Sequence, residues 1–295
     1  MDTFDELVVV NEKAFNDLLI KVSYNRYDKT EIKFSDVTQF AAFELRIDYS
    51  LQKLEITDIG NVSKPNLPLA QIVRWQWDEK GAQQITDTQI LKIRGTVFLE
   101  CIDNSCSFVI RLLKKKDKSA ESQFQSPNSS DDDFMVEIGD KKLILSAARL
   151  RFFSPVIDRM LSVEMREKQQ RSVTLNDLGI DMDQFLDFLL HISPNALRQP
   201  ILPNPQNVLM LLRLADFFQI DWFKSRCEAH LFNCVEIPLI DRVNLIDKYQ
   251  LTNLKNFILH LNLDKLGAFF EANHDQLMPM IRKEILDELT WRFYF

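Results

Sequence analysis

The amino-acid sequence predicts an α+β chain: a mostly antiparallel β-sandwich, then a mixed α/β domain, then helices toward the C-terminal end. Three observations carry this. Period-two alternation of apolar residues recurs through the first half, whereas helical spacing takes over after residue 154. Between the halves, residues 114–132 (KKKDKSAESQFQSPNSSDD) combine charge, Ser, Gln and Pro with the single aromatic Phe124. That composition offers too little apolar surface to offset the entropy of ordering, so it reads as a flexible linker.

In the first half, the sets Phe43/Leu45/Ile47, Leu54/Ile56, Val73/Trp75/Trp77, Val97/Leu99/Cys101 and Phe108/Ile110/Leu112 each fit a strand with one face buried. Breaks at DIGN, SKPNLP and DEKG separate them, as in a sandwich spanning residues 1–113. No internal repeat and no long helix interrupts the pattern. After the linker, FMVEI and KLIL flank Gly139-Asp140, where glycine supplies the positive φ that a two-residue hairpin turn demands. Ser154-Pro155 reads as an N-cap followed by a first-turn proline, opening PVIDRMLS. The strand SVTL follows, then Asp183 with Phe185, Leu189 and Ile192 at helical spacing. Asn204-Pro205 opens QNVLMLLRLADFF, and Asp221 caps WFKSRCEAHLF. These elements make a mixed domain over residues 133–235. Short amphipathic helices carrying Leu245, Tyr249, Leu251, Leu254, Ile258 and Leu261 form an extension over 236–295.

Composition narrows the function. The 295 residues are 46% apolar, enough for real cores, and Lys+Arg 36 against Asp+Glu 43 gives a net charge of -7. No whole-protein positive field draws in nucleic acid or an anionic membrane. The one basic run, Arg111 with Lys114 to Lys116, sits beside Asp131 to Asp133 and is expected to be a solvated linker edge. The start, MDTFDELVVV, is acidic where a secretory signal is basic, and four cysteines are too few for a disulfide scaffold. Both features place the chain inside the cell, in cytoplasm, nucleus or both.

Chemistry is sparse. The six glycines are too scattered for a phosphate-cradling GxGxxG or Walker loop. His191, His230, His260 and His274 all fall in helix-like segments, and no serine or cysteine stands in a nucleophile setting. Cys227, His230 and Cys234 share one helical stripe, but three ligands from one helix rarely enclose a tetrahedral ion, and the stripe continues the apolar face of Phe223 and Leu231. Trp75 and Trp77 at strand spacing suit core and lid better than a ligand platform. No catalytic residue, metal or cofactor is therefore expected. An enzyme in the first half would need a cleft with convergent polar groups.

From residue 133 onward the order of features is informative: DFMVEIGDKKL, then Leu150 with FSP, then VTLND, then FLDFL, then NVLMLLRLADFF with Cys227-Glu228. This order resembles the BTB/POZ domain, and IDKYQLTNLKNFIL is similar to the helices that follow it in adaptor proteins. The resemblance implies a protein-interaction domain that often dimerises and, in many members, binds cullin-3 to bring substrates to a ubiquitin ligase. It assigns cullin contact to Met165, Arg166 and Glu167, the apolar-x-Glu triplet between the Ser-Pro helix and the next strand, with helices near residues 239–258. An unbranched thioether suits an irregular groove, and a carboxylate adds a charge-assisted hydrogen bond at its rim. The competing reading makes Met165 a local packing residue beside a solvated Glu167. The family's polar His-Lys pair is replaced here by Ser146-Ala147, and the apolar element that precedes the first strand in such adaptors by SAESQFQSPNSS. A homodimer would then rely on the face of Leu150, Phe152 and Phe153. In related adaptors the leading sandwich is often a substrate-capturing MATH domain, so the first half is either a diverged MATH domain or another sandwich. The rival function is a self-associating BTB scaffold that does not bind cullin.

Overall fold

Alternating apolar residues in the first half form β1 (Leu7–Leu19), β2 (Tyr27–Lys33), β3 (Ala42–Asp48), β4 (Lys53–Asp58), β5 (Pro68–Trp77), β6 (Gln83–Lys92), β7 (Thr96–Glu100) and β8 (Ser105–Lys115). The structure, a computed structural model, describes residues 6–19, 27–33, 42–48, 53–59, 68–100, 105–116, 133–163, 169–193 and 201–294. The strands make two sheets, one in the order β1-β8-β5-β6 and the other β2-β3-β4-β7. Antiparallel register sets Leu45 opposite Ile56 and Ile56 opposite Val97, so one face of the second sheet is continuously apolar. It meets Ala70, Ile72, Leu91, Phe108, Ile110 and Leu112 of the first sheet in a single core. The mostly antiparallel sandwich expected from the sequence is present.

One expectation is corrected. Half-buried strands fit β4 and β7, but β5 and β8 are buried on both faces, from Leu69 to Trp75 and from Cys106 to Leu113. In β5, Ala70 and Ile72 point into the sandwich, while Val73 and Trp75 pack with Val109 of β8 and with Val235, far along the chain, on the opposite face. The physical reason is that the chain around Val235 and Glu236 returns onto that face. Arg111 shares it and is 0% exposed, so it is no solvated linker edge. Its neutralising partners lie on β1 and after residue 232, where inspection of the local charge run does not find them.

The elements after residue 132 follow the predicted order. β9 (Asp133–Ile138) and β10 (Lys141–Ser146) pair antiparallel around Gly139, whose φ of 58° is the left-handed conformation the turn requires. β11 (Ser172–Thr174) adds in parallel to β9. Ser146 caps α1 (Ala147–Phe153), accepting a hydrogen bond from the Arg149 N–H, and Ser154 caps α2 (Pro155–Ser162) with proline in its first turn. Ser154 Oγ also donates to the Phe218 carbonyl at 2.9 Å, so one buried hydroxyl ends a helix and ties down a distant loop. α3 (Met182–Ile192) starts earlier than Asp183 implies, because Asp181 and Gln184 exchange hydrogen bonds in a capping box. α4 (Val208–Phe217) and α5 (Asp221–Asn233) complete this part, and Asn204 shapes the turn before α4 by accepting from the Gln206 N–H. The last helices are α6 (Leu239–Tyr249), α7 (Thr252–Leu259), α8 (Leu263–Asn273) and α9 (Pro279–Tyr294).

The chain divides into two compact units. One joins the residues up to Glu6 to Lys115–His230. The other joins Leu7–Lys114 to Leu231–Phe295. No helix among the described residues is long and apolar enough to cross a membrane.

Candidate protein-interaction site

In the unit of residues 115–230, β9, β10 and α1 turn their alternate residues inward. Phe134, Val136, Leu143 and Leu145 enter the core together with Leu150 and Phe153 of α1. These two predicted contact residues are 5% and 7% exposed and line one internal cavity with Val173 and Phe185, so their side chains face inward. Phe152 is different. At 77% exposed it stands out from the helix, with only its edge against Phe153, ring centroids 5.0 Å apart. The face of α1 available to a partner is therefore carried by Phe152, because α1 rotates its other two apolar residues into the core.

A second apolar residue, not singled out in the sequence reading, lies on the neighbouring strand. Ile144 sits between the buried Leu143 and Leu145 and is 53% exposed, paired in register with Met135 of β9. The signal was present: in a strand buried on one face only, the middle one of three consecutive apolar residues points outward. Arg151 on α1 holds Asp158 of α2 at 2.8 Å, which fixes how the Phe152-bearing helix meets the next.

Ser146 and Ala147, which replace the polar pair, are both buried, and the serine acts as the helix cap. Met165, Arg166 and Glu167 lie outside the described residues, as does Phe124. α2 ends just before them, at the exposed Val163.

Electrostatics in this unit are local. His191 is fully enclosed, with Nδ1 2.7 Å from the Asp187 carbonyl and Nε2 3.3 Å from that of Leu202. Burial holds its pKa below the ordinary histidine value, against the pull of Asp187, so the ring is neutral. Burial would raise the Asp187 carboxyl, but His191, Lys116 at 3.0 Å and the Asn207 amide at 2.7 Å outweigh it and hold it low. Cys227 is wholly buried, and burial pushes its thiol up, away from the reactive thiolate. Among the described residues no group of three or more His, Cys, Asp and Glu side chains has a metal-holding arrangement.

The strand-rich unit contains the polar cluster that the sequence reading missed. Arg111 Nε donates to Glu12 at 2.7 Å, Nη1 to Gln71 at 3.1 Å, and both terminal nitrogens to Glu236. Burial works against its charge, yet the hydrogen bond to Glu236 and the charge of Glu12 more than restore it, leaving the pKa raised. Arg242, also fully buried, donates to Gln83 and to the carbonyls of Leu231 and Phe232. With mainly neutral acceptors, burial lowers it to about 10. Trp75 packs edge-on to Trp77 inside the Val73–Val109–Val235 cluster and so serves as packing.

This geometry is a packed α/β unit with apolar side chains raised on one strand and one helix, a form suited to binding proteins. Residues 121–234 are a BTB/POZ domain, matching the model of that family. Among similar proteins, BTB and MATH domain-containing protein 38 of Caenorhabditis elegans is 29% identical over 127 residues, 43% of this chain and 31% of that protein. BTB and MATH domain-containing protein 36 of the same organism is 26% identical over 136 residues, 46% of this chain and 41% of that protein. The match thus spans less than half the length of either relative. The BTB/POZ domain, with relatives named for BTB and MATH domains, supports a protein-interaction family for this part of the chain.

Proposed function

We propose that the protein is a substrate-recruiting adaptor of a cullin-3 ubiquitin ligase, with the BTB/POZ domain docking on cullin-3 and the sandwich recruiting a target protein. The observation that supports it most is the BTB/POZ match over residues 121–234 in a chain whose relatives are named for BTB and MATH domains together. Met165, Arg166 and Glu167 carry the docking in this reading, following α2 where it ends in the exposed Val163. A homodimer would form through Phe152 of α1, with the exposed Ile144 of β10 in the same unit as a second apolar residue. The protein itself transfers no ubiquitin; other subunits do.

The test is calorimetric titration of the full chain with the amino-terminal domain of cullin-3. The full chain is needed because the helices after residue 231 pack with the sandwich. Binding at roughly micromolar Kd or tighter is expected, abolished by Met165→Asp and by Glu167→Lys in proteins with parental circular dichroism. A folded parent that does not bind would favour the self-associating scaffold.

A further inference from the structure

The last three carbonyls of α5 are all held by two buried arginines. Arg242 takes those of Leu231 and Phe232 at 2.9 and 3.2 Å, and Arg111 takes that of Asn233 at 3.3 Å. A helix C-terminus carries partial negative charge, so a buried guanidinium is well placed there. Each arginine also reaches a strand, Arg242 through Gln83 of β6 and Arg111 through Gln71 of β5 and Glu12 of β1. Arg111 stands four residues before Lys115, where the chain leaves the strand-rich unit, and Asn233 and Glu236 follow Leu231, where it returns. The clasp thus closes the two points between which residues 115–230 are inserted.

Two further contacts join the same parts of the chain, one adjoining the clasp and one at a hairpin tip. Val235 fills the apolar cluster of Val73, Trp75 and Val109 on the outer face of the β1-β8-β5-β6 sheet. At the tip of the β5–β6 hairpin, Gly81 (φ 65°) approaches α8 so closely that a Cβ there would stand 2.4 Å from the Lys265 carbonyl and 2.6 Å from the Phe269 nitrogen. Only a residue without a side chain allows that approach.

We propose that the sandwich and the C-terminal helices are one cooperative folding domain into which residues 115–230 are inserted, closed by the Arg111–Glu236 and Arg242 clasp. The chain from Asn233 to Glu236, with Arg242 of α6, is the resident occupant of the outer face of the β1-β8-β5-β6 sheet, so a target recruited by the sandwich binds elsewhere on it. Neither statement depends on cullin binding.

The test is hydrogen exchange followed by mass spectrometry on the full chain and on Arg111→Met. Removing one partner of a buried ion pair should speed exchange in β5, β8 and α6 to α9 by a common factor, roughly a hundredfold or more, while β9, β10, α3 and α4 keep parental rates. Gly81→Ala, which crowds α8 while leaving both arginines in place, should give the same pattern, and it carries the test if the arginine variant does not fold. Acceleration confined to the helices, acceleration of the inserted unit by the same factor, or no acceleration would each overturn the proposal.

Discussion

Single side chains with two partners set the local geometry. Ser154 caps α2 through the Ile157 N–H and donates to the Phe218 carbonyl. Ser154→Ala loses the cap and strands a buried carbonyl, so destabilisation of about 2–3 kcal/mol is expected in urea unfolding followed by Trp222, with Ser154→Thr retaining most of the stability. His191 gives a pH dependence of definite sign. An unfolded histidine takes up its proton near 6.5, whereas the buried ring stays neutral to lower pH. The contribution to stability is therefore complete above pH 6.5 and is lost as pH falls from 6.5 toward the folded value, because the unfolded chain then binds more protons. Urea midpoints at Trp222 measured between about pH 5 and 8 should fall on the acid side, and His191→Asn should flatten that slope. The Ser154 cap was legible as Ser-Pro before an amphipathic run. The setting of His191 was not, since one of its two carbonyl contacts comes from Leu202, eleven residues further along the chain.

At the scale of elements, the helical periods and the Ser154 cap were read correctly, whereas α4 opens at Val208 rather than at Asn204-Pro205, Asp221 lies within the first turn of α5, and covering was not read. The hairpin at Gly139, the strand Ser172–Thr174 and the helices from α1 to α5 follow local rules, and their order alone carried the BTB/POZ resemblance. The outward face of α1 was legible only in part. Leu150, Phe152 and Phe153 are equally apolar in sequence, and helix rotation against the core decides that Phe152 alone is free to meet a partner. Phe152→Glu should leave stability within about 0.5 kcal/mol of the parent, because the side chain is surface-exposed, and should abolish the homodimer proposed above in sedimentation experiments that compare it with the parent. Retained self-association in that variant would remove Phe152 from the dimer contact. For β5 and β8, near-continuous burial has a sequence mark in LAQIVRW and CSFVIRLL, runs with too few outward polar residues for a strand wetted on one side. The arginine within each run conceals that mark.

At the scale of the molecule, the order of segments along the chain is not the order of packing. The sandwich is completed by helices that follow it only after the whole BTB/POZ domain has intervened. Arg111 and Glu236 are 125 positions apart, and nothing in the basic run around Arg111 announces its partner. The sequence by itself determined the elements, the sandwich and the BTB/POZ domain, because periodicity, turn residues and caps act within a few residues of one another. Only the tertiary structure decided that the first sheet is covered on both faces, that two arginines are buried and that the strand-rich unit is discontinuous. Those outcomes depend on which distant surfaces meet, and a buried charge is tolerable only where remote chain supplies its acceptors.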